Sequence, residues 1–120
     1  VMKETIKLYE DGEYKTYERD MAKIPLTVED WMNASELDIA QHNYSTRMAG
    51  DKPMKAKDAQ DLVKADVKFV VNYFRNQFTP DQAMKGIAPR VMVEEFNRWY
   101  NQSAGALDIG NEKEKGDPKK

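Results

Sequence analysis

Few side chains in this 120-residue sequence are of a type and spacing that could do chemistry. The single histidine, His42, sits beside Gln41 and Asn43 in a segment of helical pattern. A metal site or a Ser-His arrangement would need partners at ligand spacing, and none lies near it in the sequence. His42 therefore reads as a structural or surface residue. The chain lacks cysteine, which removes disulfides and thiolate metal sites. Its six glycines are scattered as turn and cap residues, and none opens a phosphate-binding G-x-x-x-x-G-K loop. No catalytic, cofactor-binding or metal-ligating residue is expected, and no cofactor.

Asp66 stands out among the carboxylates. It falls between Leu62, Phe69 and Tyr73 on the apolar side of a long helical pattern. An unpaired buried carboxylate is costly, so burial there calls for a cation or several hydrogen bonds. Two readings are open: a structural ion pair to Arg47, Arg90 or Arg98, or a polar latch in a partner interface. The other carboxylates lie opposite apolar stripes, where a solvated face accounts for them.

Bulk composition bounds the rest. One-third of the residues are charged, yet the net charge is only -2 and the pI is near 5.5. That balance argues against a nucleic-acid partner, because such binding rests on neutralising phosphates with a basic surface. The aromatics follow helical spacing beside aliphatics and are not interleaved with a basic stripe, which favours packing over base stacking. No apolar run approaches the roughly 20 residues that span a bilayer, so no membrane partner is expected.

The expected elements begin with a hairpin over residues 3–18. Ile6 and Leu8 alternate with Thr5, Lys7 and Tyr9, and Asp11-Gly12 supplies the turn. Such a hairpin is marginal alone and must dock on helices or on another chain. Thr27 caps a short helix through Met32, with a break expected at Asn33–Ser35, where the apolar stripe changes face. A second helix follows from Glu36 on the stripe Leu37, Ala40, Tyr44 and Met48. A long helix is expected from Ala56 to Gln77. Its apolar residues cover about half the circumference, so it is either the central helix or one that also meets a partner. Thr79-Pro80-Asp81-Gln82 opens a short helix with a capping box, and Gly86 reads as its left-handed terminator. Pro89 opens a closing helix with Met92, Phe96 and Trp99 on one face and a Glu94–Arg98 pair, ending by Gly105. The fold class is thus mainly α, a small domain of four to five helices with an N-terminal β-hairpin over residues 1–105. Residues 106–120 carry the composition of a disordered charged tail. The methionines read first as core filler and second as an adaptable surface.

The segment Phe69-Val70-Val71-x-x-Phe74-x-Asn76-Gln77-Phe78-Thr79-Pro80-Asp81, with the lysine-rich hairpin Lys3–Tyr17, the closing amphipathic helix and the charged tail, resembles the tail assembly chaperones of long-tailed bacteriophages. The resemblance implies a non-enzymatic protein of the host cytoplasm that is absent from the mature virion. It implies binding to the tape-measure protein, keeping that chain in solution until tail-tube protein displaces the chaperone, and it leaves room for self-association. Phe69, Tyr73, Phe78, Val93 and Tyr100 are the candidate contact residues, and Asp66 the candidate buried polar latch. Genes of this family commonly carry a programmed frameshift, and the lysine pair Lys119-Lys120 is where an adenine-rich shift site is expected. The alternative is a head-tail connector or tail-completion protein retained in the virion.

Overall fold

A computed structural model describes residues 3–51 and 53–105. The tail expected over residues 106–120 lies outside the described residues.

Strands β1 (Lys3–Glu10) and β2 (Glu13–Asp20) pair antiparallel, with Lys3 opposite Asp20 and Glu10 opposite Glu13. The turn residues Asp11 and Gly12 both have positive φ, 52° and 86°, as a two-residue hairpin turn requires. The hairpin runs two residues beyond the expected boundary, to Asp20. Glu4, Ile6 and Leu8 face inward and are buried, while Lys3, Thr5, Lys7 and Tyr9 face out.

Helix α1 spans Val28–Met48 without interruption, so the break expected at Asn33–Ser35 is absent. The apolar stripe changes face because the helix carries two apolar faces, not because the backbone turns. Ser35, the residue most able to disturb it, directs its hydroxyl to the Trp31 carbonyl at 3.0 Å. Helix α2 spans Ala56–Tyr73 and stops four residues short of the expected end. Arg75 and Asn76 adopt left-handed φ values of 61° and 59°, and the Asn76 amide donates to the Val71 carbonyl at 2.9 Å. A left-handed residue other than glycine costs roughly 1–2 kcal/mol, so Arg75 needs compensation.

That compensation is a buried ion cluster. Arg19 donates to both oxygens of Asp30 at 3.0 Å each, and Arg75 donates to the same two oxygens at 3.0 and 3.1 Å. The remaining Arg19 donors reach the carbonyls of Ile24 (3.0 Å), Pro25 (2.8 Å) and Tyr73 (3.0 Å). All five guanidinium donors are thus matched, as a fully buried arginine requires. The Thr27 amide also donates to Asp30, at 2.9 Å. One cluster therefore fixes β2, the linker, the start of α1 and the end of α2.

Helix α3 (Pro80–Gly86) shows the expected capping box: the Gln82 amide donates to Thr79 Oγ1 at 3.1 Å, and Gln82 Oε1 accepts from the Thr79 amide at 2.7 Å. Gly86 is not a left-handed terminator. It lies against β1, where a Cβ would sit 2.8 Å from the Tyr9 carbonyl oxygen and 3.1 Å from its nitrogen. The closing helix is split at Glu95 into α4 (Pro89–Glu94) and α5 (Phe96–Ser103). Arg98 pairs with Glu4 and Glu95, and Glu94 pairs with Arg90, in place of the expected Glu94–Arg98 pair. The reason is Glu4, a buried carboxylate that gathers Arg98, Trp99 and Gln102 as donors at 2.7–3.3 Å.

The core is aromatic at its centre. Trp99 stacks on Tyr73 (centroids 5.7 Å apart) and meets Phe74 edge-on at 5.1 Å, with Ile6, Leu8, Leu37, Val70 and Phe78 around them. Mainly α with an N-terminal hairpin is the observed class, with five helices among the described residues.

Two substitutions test this frame. Asp30→Asn leaves Arg19 buried without its counter-charge and should lower stability by about 3–5 kcal/mol in urea titration. Gly86→Ala should cost about 1–3 kcal/mol through overpacking against the β1 backbone, visible as a thermal midpoint several degrees lower.

Candidate partner-binding face

Two-faced α1 is the feature that the fold leaves unfinished. Ala34 and Leu37 are buried against the core. At about 100° per residue, Val28, Trp31, Met32 and Ile39 form a stripe roughly 100° wide on the opposite side. These four side chains are 57–66 % exposed, and no described element packs over them. From Val28 to Ile39 the stripe is about 17 Å long.

At its N-terminal end the stripe runs into a groove of about 640 Å³. Leu26, Val28 and Trp31 line one side, and Gln102, Ser103 and Gly105 the other. Ser103 is 5 % exposed, and its Oγ has no hydrogen-bond partner among the described residues. A buried hydroxyl left unpaired costs about 1–3 kcal/mol, so this site favours a ligand that brings a polar atom to it.

The anticipated contact residues divide. Phe69, Tyr73 and Phe78 are all buried in this chain's own core, so α2 is the central helix. Val93 is 76 % exposed, and Tyr100 is half-buried with its hydroxyl donating to Asp38. His42 is exposed on α1, and no group of three or more His, Cys, Asp or Glu among the described residues could hold a metal. No described helix is long and apolar enough to cross a membrane. Of the described methionines, Met32, Met48, Met54 and Met84 are exposed and Met21 is partly buried, while Met92 packs against the core.

Asp66 has no ion pair among the described residues. Arg47, Arg90 and Arg98 are taken by Asp58, Glu94 and Glu4. One Asp66 oxygen is buried without a hydrogen bond, and burial alone pushes the carboxyl up to about 6. Asp30 behaves in the opposite way. Burial would raise it, but the donors from Arg19, Arg75 and Thr27 outweigh burial and hold it well below the usual carboxylate range. Glu4 is likewise lowered: burial raises it, and Arg98, Trp99 and Gln102 more than offset that.

A family model described as phage tail chaperone protein matches residues 2–120, nearly the whole chain. The chain belongs to the phage tail chaperone family. No curated protein and no solved structure matches it. A chaperone's work is to cover the exposed surface of another chain, and this tail chaperone carries an uncovered apolar face on a rigid helix.

The α1 stripe was legible as residues but not as a surface, because Trp31 and Met32 also suit the core of a short, broken helix. The signal that distinguishes it is the helical wheel of an unbroken α1, where Leu37 and Ile39 fall on opposite sides. Ser103 carried no signal at all; its isolation is visible only once α5 is seen beside Leu26.

Asp66 offers a stability test in this tail chaperone. A raised folded-state value means that the folded chain holds more protons between about pH 4 and pH 6, so stability falls as pH rises through that window. Asp66→Asn should therefore raise the melting temperature at pH 7.5, with the gain gone by pH 4, as followed by circular dichroism.

Proposed function

We propose that this chain holds the tape-measure protein of its phage during tail assembly, without catalysis, by covering apolar helical segments of that protein with the outer face of α1. The single observation that carries this reading is the stripe Val28, Trp31, Met32 and Ile39, exposed on a helix whose other face is locked into the core. A holdase needs apolar surface that stays presented without collapsing inward, and a helix pinned by a buried ion cluster provides it. Exposed methionines add adaptable contact area along the chain. Val93 and Tyr100 extend the contact surface. Release comes when tail-tube protein covers the same client segments. The chaperone works in the host cytoplasm and leaves before the virion is finished.

Co-expression with the tape-measure protein from the same phage is the test. The wild-type chain should raise the soluble fraction of the client several-fold. Trp31→Glu combined with Ile39→Glu should abolish the gain while leaving the melting temperature within a few degrees, since both side chains are exposed. Client that is equally soluble with both proteins, or equally insoluble, would contradict the assignment to α1.

A further inference from the structure

Resting on that proposed function, we infer the chemistry of the segment that α1 receives: an amphipathic helix flanked by Lys or Arg, with an end side chain of apolar body and polar tip seated in the groove beside Ser103.

Three observations set these features. The stripe has helical spacing at positions i, i+3, i+4 and i+11, so its complement is another helix lying along it. Its flanks are acidic. Helix α1 carries Glu29, Asp30, Glu36 and Asp38, and its one Lys or Arg is Arg47 in the last turn. Asp30 is consumed by the buried cluster, Asp38 accepts from Tyr100, and Glu36 meets Lys68 at 3.5 Å with both side chains more than 60 % exposed. An exposed pair of that kind neutralises little. Two arginines share the one Asp30 charge, which leaves a positive charge beside Glu29, so the acidic flanks are carried by Glu36 on one side of the stripe and Asp38 on the other. A basic-flanked helix is complementary to this face, whereas a second copy would set acids against acids. Finally, the groove has one apolar wall of Leu26, Val28 and Trp31 and, across from it, the buried Ser103 hydroxyl with no partner among the described residues, which suits a side chain such as tyrosine.

Residues 106–120 are a poor occupant. They offer only Ala106, Leu107 and Ile109 as apolar residues, too few to cover both the groove and a stripe about 17 Å long.

Designed 18-residue helical peptides give the test by calorimetry against the full chain. One carries a leucine stripe, Lys and Arg flanks and a terminal tyrosine anchor. A second replaces the flanks with Glu, and a third replaces the tyrosine with phenylalanine. The basic peptide should bind at least tenfold tighter than the acidic one at low salt, the gap closing as salt rises. The phenylalanine peptide should bind roughly three- to tenfold more weakly than the tyrosine peptide, and Ser103→Ala should erase that difference. Equal affinity for both flank charges, an undiminished tyrosine preference in Ser103→Ala, or no binding of any peptide overturns the inference. So does a tighter peptide complex in a Leu107→Asp, Ile109→Asp chain, which would make the chain's own segment the occupant. A dimer in sedimentation that Trp31→Glu dissolves would assign the face to a second copy and overturn it too. Peptides that fail while co-expression still depends on α1 reject this inference and leave the proposed function standing; peptides that bind while co-expression fails do the reverse.

Discussion

Everything in this molecule is arranged around a carboxylate shared by two arginines. Asp30 receives Arg19 from the hairpin and Arg75 from beyond α2, and Arg19 uses its remaining donors on the linker and the last carbonyl of α2. Removing charges from water is costly, and an apolar replacement of similar shape can be as stable as a buried ion pair. What such a cluster supplies is a defined arrangement: its donors and acceptors match in one geometry only. Arg19 also lies 4.8 Å over the ring of Tyr73, which ties the charge to the aromatic core. The roll of α1 about its own axis is set there. With Asp30 pointing inward, Leu37 must follow two turns later, and Trp31, Met32 and Ile39 are left outside.

A helix with apolar residues on both sides has no unique orientation by hydrophobic burial alone. Ala34 and Leu37 offer less apolar area than Trp31, Met32 and Ile39, so burial by itself would favour turning the larger stripe inward. The polar cluster overrides that preference. This is how a small domain keeps a greasy face available without losing its fold, and it explains why the charge is placed in the first turn of α1 and not at its far end. Glu4 performs a related task at the opposite edge, holding Trp99, Arg98 and Gln102 of α5 against β1.

Local signals in the sequence correspond to local structure. Asp11-Gly12 needs positive φ and gets it, and Thr79 with Gln82 forms the box its spacing implies. Those features depend on three or four adjacent residues. Features that failed to read depend on distant partners. Arg75 leaves the helical region because Asp30, 45 residues away, rewards it, so α2 ends early. Arg98 turns from Glu94 to Glu4, which lies 94 residues away. Gly86 looked like a helix terminator, yet its lack of a side chain serves the close approach of Tyr9. The family resemblance holds because two of its features, the hairpin and the Phe69–Asp81 segment, depend on adjacent residues, and α2 and α3 do follow one another there. Of the anticipated contact residues, the aromatic ones on α2 lie in the core, because apolar character alone does not say which apolar stripe the core will claim.

Hydrogen-deuterium exchange of the chain alone and bound to the tape-measure protein of its phage tests the central claim most directly. Slower exchange on binding, concentrated over Val28–Ile39 and the end of α5 with α2 unchanged, is the expected result. Protection that falls on the hairpin or α3 while α1 exchanges as before would contradict it.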